Sequence, residues 1–197
     1  LLIAAGSYLL GYRGNQDFSS INNPFAEGNA FAFRALPALI GSAIPLLVFI
    51  LLMQFGSTVA GATFAAVLVS LDNALLVQTR IIALDGFLLT AILGAIILFL
   101  QGLRCSTPRG KMTLFFVAGM FGGLAVGVKL TGLVALGVPF VIFVVDLAKH
   151  PKLFQAWLRD GSLFVCGALV IYLGGWVLHF HLLDQPWPEI WGPVSGN

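Results

Sequence analysis

Six apolar runs, each a candidate for crossing a lipid bilayer as an α-helix and the fourth and fifth of them short, constrain this chain more than any other feature. A hydrocarbon core about 30 Å thick requires roughly 20 apolar residues in a helix, because every backbone N–H and C=O group must be paired inside the membrane. We place the six runs at residues 35–54, 58–77, 82–101, 113–129, 131–146 and 161–180. The sequence therefore predicts an all-α fold, a polytopic membrane helical bundle of about six transmembrane helices.

The composition supports this interpretation and excludes a nucleic-acid partner. Hydrophobic residues make up 59% of the 197 positions and charged residues 9%, whereas a soluble domain carries roughly 25% charged residues. The formal net charge is only +2, and the sequence has no stripe of Lys and Arg that could neutralise successive phosphates. We expect an integral, multi-pass membrane protein.

The loop charges predict the orientation of the bundle. The segments "GLRCSTPRGK" and "DLAKHPKLFQAWLRD" each carry three Lys or Arg residues, so the positive-inside rule puts both on the cytoplasmic side. The turn near 78–85 and the turn near Lys129 then face outward. We divide the chain into an outer-face amphipathic segment and loop at 1–34, the transmembrane bundle at 35–180 and the start of an outer-face loop at 181–197.

One apolar run also carries a signature of close helix packing. The stretch "GMFGGLAVG" places Gly119, Gly123 and Gly127 four residues apart. Residues at this spacing lie on one side of a helix, where small side chains let a neighbouring backbone approach closely. The pattern predicts tight packing against another helix.

Three charged residues lie inside the very apolar stretch "VSLDNALLVQTRIIALDGFLL". Eight residues separate Asp72 from Arg80 and five separate Arg80 from Asp85, so on one continuous helix they would point in different directions. A hairpin fits better, with one span ending near Gln78 and the next beginning near Ile82 or Asp85. Asp85 is then either part of a site at the outer rim or a helix N-cap without a chemical role.

Two basic residues near the predicted outer face have the same ambiguity. Arg34 lies at the outer end of the first span, where a long cationic side chain can simply extend to the interface. Lys129 is surrounded by apolar and glycine residues and has no acid near it in sequence, so it needs an anion from elsewhere. A lipid phosphate is one such anion, since charge-assisted hydrogen bonds from Arg or Lys bind it well.

The stretch "VLHFHLLDQPWPEIWG" combines two histidines with two acids, and yet it does not predict a metal site. His179 and His181 are two residues apart and face away from each other on a helix, while Asp184 and Glu189 follow in Pro-rich chain. We expect no metal, and an interfacial Trp/His anchor fits this segment better.

Several stretches together resemble the protein O-mannosyltransferases, which are glycosyltransferases of the GT-C type, family 39. The first, "LLIAAGSYLLGYRGNQDFSSINNPF", is similar to the outer segment that follows the family's His-Pro-Pro-Leu-Gly-Lys motif. The second, "AFRALPALIGSAIPLLVF", looks like its second helix. "LDNALLVQTRIIALDGFLL" resembles its most recognisable string, and "GGLAVGVKLTGLVAL" resembles the Gly-rich helix with a lysine that comes next.

The resemblance implies an activity and a set of residues. Members transfer mannose from a polyprenyl-phosphate carrier to Ser or Thr hydroxyls of proteins at the outer face, with inversion at the anomeric carbon. It implies that Arg34 and Lys129 bind the donor phosphate and that Asp72, Gln78, Arg80 and Asp85 line the cavity. It implies no cofactor, because the lipid-linked sugar is an activated substrate, and it implies membrane lipid as a partner.

The family's catalytic acidic pair should lie upstream of Leu1, so the resemblance implies no catalytic residue within these 197 positions. We therefore expect an internal piece of such an enzyme, inactive alone, and a bacterial plasma membrane rather than the endoplasmic reticulum. Two alternatives stay open. One is a related GT-C transferase with another lipid-linked sugar or acceptor, and the other is a non-enzymatic transporter subunit, typically marked by paired broken helices in two repeats.

Overall fold

Long apolar helices dominate the computed structural model of the chain, which describes residues 2–13 and 29–182. The α-helices of these residues are α1 (Leu2–Leu9), α2 (Asn29–Ser42), α3 (Ile44–Gln54), α4 (Val59–Leu71), α5 (Asn73–Arg80), α6 (Asp85–Arg104), α7 (Pro108–Val128), α8 (Val134–Lys149) and α9 (Phe154–Leu182). Short 3₁₀ helices at Leu130–Leu133 and Pro151–Leu153 lead into α8 and α9. Within the two described ranges no residue lies in a β-strand, and the all-α prediction is confirmed.

The helices match the predicted spans in number and order. Five stretches of the described chain are long and apolar enough to cross a membrane, and the bent pair α4–α5 makes a sixth if it counts as one span. The protein is thus a multi-pass membrane protein. The first span begins at Asn29 and the last at Pro151, earlier than residues 35 and 161, because a helix can extend beyond its apolar part into the head-group layer.

Contacts between the helices fix their directions. The Thr90 hydroxyl donates a hydrogen bond to the Ile40 carbonyl, and the Gln54 amide donates one to the Ile97 carbonyl, at 3.2 and 3.3 Å. The run α2–α3 is therefore parallel to α6, and α7 returns in the opposite direction. We call the end of the bundle that carries Asp85 and Lys129 the outer end, following the orientation predicted from the loop charges.

Helix α7 packs tightly against α9 through small residues, as the glycine spacing predicted. A Cβ atom on Gly119 would overlap the carbonyl oxygen of Phe164, and one on Gly123 would overlap that of Ala168. From the other side, a Cβ on Gly167 would overlap the carbonyl of Phe116. Gly127 lies beyond this tight contact, with only the Tyr172 ring at 4.0 Å. The two helices therefore separate toward the outer end.

A buried carboxylate and a tryptophan of α9 join the inner ends of three helices. Asp160 is 1% exposed and accepts a salt bridge from Lys111 of α7 at 3.0 Å, together with the guanidinium of its neighbour Arg159 at 2.8 Å. The Trp157 indole donates to Asp146 of α8 at 2.9 Å. A buried charge is tolerated only when it is paired. These contacts therefore fix the inner ends of α7, α8 and α9 relative to one another.

The glycine packing predicts a local effect on stability. Replacing Gly119 by Ala should lower the free energy of unfolding of the full-length protein in detergent by about 1–3 kcal/mol, because overpacking forces the two backbones apart. Gly137→Ala is the control, since a Cβ at this position of α8 meets no atom within 4 Å. Equal unfolding temperatures for the two variants would contradict the packing of α7 on α9.

The orientation of the bundle can be tested by labelling cysteines. A hydrogen bond with the Thr107 side chain lowers the pKa of the Cys105 thiol, and a second one with the Thr107 backbone adds to this, so the thiolate needed for maleimide labelling is favoured. In a Cys166→Ala background, an impermeant maleimide should label Cys105 only from the cytoplasmic side. An Ile82→Cys variant that lacks both Cys105 and Cys166 should be labelled only from the opposite side, and labelling of Cys105 and of the Ile82→Cys variant from the same side would overturn the topology.

Candidate functional site

A cavity of about 540 Å³ opens at the outer end, where the α4–α5 bend meets the first residues of α6 and the residue after α7. Its floor is formed by aliphatic side chains of α4, α5 and α6. The polar residues that line it are Asp72, Gln78, Asp85 and Lys129. The cavity therefore combines two carboxylates, an amide and an amine with an apolar wall.

The cavity exists because the second span is broken at Asp72. This residue has an extended backbone (φ −67°, ψ 113°) and forms the N-cap of α5, where its carboxylate accepts the Leu75 N–H at 2.8 Å. The two helices meet at 59°. The continuous helix predicted over residues 58–77 is wrong at this point, since Asp and Asn favour helix caps over helix interiors. The adjacent residues Asp72 and Asn73 were the signal in the sequence for this break.

Close packing holds α5 in place beside α2 and α6. The Thr79 side chain is buried, and a Cβ atom on Gly41 of α2 would overlap its methyl group. A Cβ atom on Gly86 of α6 would lie 3.5 Å from that same methyl group and 3.5 Å from the Pro37 carbonyl oxygen. With Thr79 facing the bundle, Gln78 lies at the cavity, whereas Arg80 at the last position of α5 is exposed and does not line it.

Asp85 and Lys129 form an ion pair at the rim of this cavity. Lys129 Nζ lies 3.4 Å from Asp85 Oδ1, and the two side chains are 60% and 34% exposed. Asp85 is the first residue of α6, and the preceding Leu84 occupies the N-cap position without a side-chain hydrogen bond. The N-cap alternative is therefore wrong for Asp85, because this residue lies inside the helix and its carboxylate accepts from Lys129. Asp72 has that role for α5.

The backbone around Lys129 turns sharply and holds its side chain at the outer end. Helix α7 ends there, Lys129 is extended (φ −159°, ψ 143°), and the Gly132 N–H donates to its carbonyl at 2.8 Å. Any side chain at Gly132 would overlap the carbonyl of Ala125. The turn after α7 therefore requires a glycine at position 132.

Arg34 lies at the same end of the bundle and outside the cavity. It is an exposed residue of α2, about two turns before Gly41 at 3.6 residues per turn. Of the residues predicted for the site, Asp72, Gln78, Asp85 and Lys129 come together, whereas Arg34 and Arg80 do not line the same cavity. Their individual roles stay predictions.

A second cavity, about 590 Å³ and mainly apolar, lies between α7 and α9 where these helices separate. Gly127, Gly174 and Gly175 line it and leave it open. Leu84 and Val128 line this apolar cavity, and the residues that follow them, Asp85 and Lys129, line the polar one. Both residues of the ion pair thus line the polar cavity and each follows directly in sequence a residue that lines the apolar one. Sequence reasoning missed the apolar cavity, because glycines indicate close packing as readily as open space.

The histidine segment contributes one side chain to the apolar cavity. His179 lines it and contacts the Trp176 ring edge to face, with ring centroids 6.0 Å apart. His181 is an exposed residue of α9, while Asp184 and Glu189 lie outside the described residues. The absence of a metal from this segment stays a prediction.

The fold and the site define a class of protein, a polytopic helical membrane protein with a charged cavity at one end that adjoins an apolar groove. Comparison with known proteins gives the family. The family model described as dolichyl-phosphate-mannose-protein mannosyltransferase matches residues 1–183, and the chain belongs to this family. The resemblance predicted from the sequence is confirmed.

Curated relatives agree with the family match. The chain is 34% identical over 204 residues to protein O-mannosyltransferase 1 of Drosophila melanogaster, covering 95% of this chain and 22% of that protein. It is 26% identical over 200 residues to protein O-mannosyl-transferase 1 of Danio rerio, covering 96% of this chain and 28% of that protein. A match of 35% identity over 94 residues, 47% of this chain and 12% of the relative, is to dolichyl-phosphate-mannose-protein mannosyltransferase 4 of Candida albicans. The chain thus spans less than a third of these relatives.

The helix cap at Asp72 generates a prediction that separates stability from function. Asp72→Ala should cost about 1 kcal/mol in unfolding free energy, typical for loss of an N-cap, and should also reduce activity because the α4–α5 bend shapes the cavity. Thr58→Ala is the matched control, because Thr58 caps α4 at the inner end by accepting the Gly61 N–H at 3.1 Å. Asp72→Asn should retain both properties. Equal activity losses in Asp72→Ala and Thr58→Ala would contradict a role of the bend in the site.

Proposed function

We propose that the protein transfers mannose from a polyprenyl-phosphate carrier to Ser or Thr hydroxyls of proteins at the outer face of the membrane. The observation that carries this proposal is the family match over residues 1–183. The charged cavity at the outer end supports it, since a lipid-linked sugar presents its phosphate at the level of the head groups.

The transfer reaction defines a role for the basic side chains near the cavity. In an inverting transfer the acceptor oxygen bonds to the anomeric carbon while the bond from that carbon to the phosphate oxygen breaks. The leaving group changes from a phosphodiester with one negative charge to a phosphate monoester that gains a second. A cation beside that phosphate therefore stabilises the transition state more than the ground state. Lys129, exposed at the cavity rim, is suited to this role, and the family resemblance adds Arg34.

The two cavities suit the two parts of such a donor. The apolar cavity between α7 and α9 can accept an isoprenoid chain, because its lining consists of aliphatic, aromatic and glycine residues. The polar cavity can accept the phosphate and the sugar, because its side chains offer both hydrogen-bond donors and acceptors. Lys129 stands where the two meet. The general base that removes the acceptor proton is assigned by the resemblance to the acidic pair expected upstream of Leu1.

The identity of the sugar is the part of the proposal that the cavity itself supports least. Amide and carboxylate groups such as Gln78 and Asp72 bind sugar hydroxyls of any hexose, so a related transferase with another lipid-linked sugar is the second candidate. The family match favours a transferase over the transporter subunit. The bacterial plasma membrane, rather than the endoplasmic reticulum, stays a prediction of the sequence.

Mannosyl transfer by the full-length protein tests this function, and Arg34 tests the donor-phosphate role that the resemblance implies. In the full-length protein, Arg34→Ala should reduce mannosyl transfer from polyprenyl-phosphate mannose to an acceptor peptide by about 10²- to 10³-fold, the usual effect of removing one group that stabilises transition-state charge. Arg109→Ala, which removes an exposed arginine of α7 at the inner end, is the control and should leave transfer unchanged. Both variants should insert normally, and wild-type turnover in Arg34→Ala would reject the assignment. Transfer of glucose in place of mannose would favour the second candidate.

A further inference from the structure

We infer that Asp85 is the resident counter-ion of Lys129, and that the donor phosphate displaces this carboxylate when it enters the junction between the two cavities. The inference rests on the proposed function and deepens it. It makes Asp85 a positioning residue that sets the affinity of the site for phosphate.

The position of the pair is the first argument. The backbone neighbours Leu84 and Val128 line the apolar cavity, and Asp85 and Lys129 line the polar one. We expect a molecule with an apolar chain in one cavity and a polar head in the other to place its linking group beside this pair. In a polyprenyl-phosphate sugar, the linking group is the phosphate.

The strength of the pair is the second argument. Its N–O distance of 3.4 Å is long for a charge-assisted hydrogen bond, and the two side chains are 60% and 34% exposed. Exposed pairs of this kind contribute little, so a competing anion can break the contact easily. The buried pair of Lys111 with Asp160, at 3.0 Å with Asp160 1% exposed, has the opposite properties. Asp85 is thus a weak and replaceable partner.

The third argument is what the phosphate gains. Asp85 is the first residue of the 20-residue helix α6, so its carboxylate also neutralises part of the positive end of the helix dipole. An anion that replaces Asp85 at Lys129 meets both the ammonium group and that helix end. A phosphate carries at least as much negative charge as the carboxylate and has more acceptor oxygens.

The fourth argument is product release. After transfer, the polyprenyl phosphate carries more negative charge than the donor, and an unopposed Lys129 would hold it more strongly than the substrate. A carboxylate within reach of the same ammonium group competes with the bound phosphate and favours its departure. Asp85 therefore lowers the affinity for both lipids and keeps the site available for the next donor.

The experiment measures binding of polyprenyl phosphate to the full-length protein in phosphatidylcholine nanodiscs at fixed ionic strength. Asp85→Asn should bind it about two- to fivefold more tightly, the change expected from losing a competing exposed pair. Lys129→Met should bind it roughly tenfold or more weakly. Asp85→Asn should gain clearly less affinity in the Lys129→Met background than in the wild type, because Asp85 acts mainly by occupying Lys129.

The matched control is Asp146→Asn at the inner end. Asp146 is 37% exposed and lies 3.2 Å from His150, so it is a paired carboxylate of similar exposure away from the cavities, and Asn at this position can still accept the Trp157 indole N–H. This variant should bind polyprenyl phosphate as the wild type does. A gain in affinity equal to that of Asp85→Asn would reveal a general charge effect and overturn the inference.

The results separate this inference from the proposed function. Asp85→Asn with unchanged or weaker binding overturns the counter-ion role, whether or not the wild type transfers mannose. A gain in Asp85→Asn that persists undiminished in the Lys129→Met background also overturns it, since Asp85 would then not act through Lys129. Absence of mannosyl transfer in the wild type contradicts the proposed function, while the pattern of binding still reports on Asp85.

Discussion

The lack of water in the hydrocarbon core is the constraint on which the rest of the structure depends. Backbone groups there must be paired within the helix, and charged side chains are costly. The described helices follow both demands, with apolar residues along their length and ionisable residues at their ends. The same constraint limits where a helix can be broken. The extended residues Asp72 and Lys129 both lie near the outer end, beside a cavity where polar backbone groups can be hydrated.

The irregular backbone and the charges at the outer end link the fold to the proposed chemistry. A helix that ends at the membrane interface presents unpaired N–H or C=O groups, and these make the interface polar without any charge being buried. The bend at Asp72, the turn after α7 and the start of α6 together form a pocket for a head group. The separation of α7 from α9 beyond Gly123 forms an apolar groove next to it. The boundary between lipid and water thus runs through the site itself.

The sequence predicted the spans well because their physical cause is local. A run of about 20 apolar residues can be recognised without knowledge of its neighbours, and so can the spacing of Gly119 and Gly123 that brings α7 against α9. The hairpin between Arg80 and Asp85 was also predictable, since one continuous helix could not have brought its charges together. These features depend on the residues of one or two adjacent segments.

The remaining features depend on contacts between distant segments, and the sequence could not supply them. The pairing of Asp85 with Lys129 joins residues 44 positions apart. The local sequence around either residue does not specify its partner. The N-cap alternative was offered for Asp85, and the structure shows Leu84 at the N-cap position of α6 and Asp72 at that of α5. The apolar cavity arises from the angle between α7 and α9, which the glycine pattern leaves undetermined.

The central claim is that Lys129 meets a lipid phosphate at the junction of the two cavities, and a distance between the two atoms tests it most directly. Solid-state NMR on the full-length protein, with ¹⁵N-labelled lysine and bound polyprenyl phosphate, can detect the dipolar coupling between Nζ and phosphorus. We predict a distance of roughly 4 Å, as for a direct ammonium–phosphate hydrogen bond, from a signal that disappears in Lys129→Met. A coupling that survives in that variant, or none at all with the lipid bound, would contradict the account.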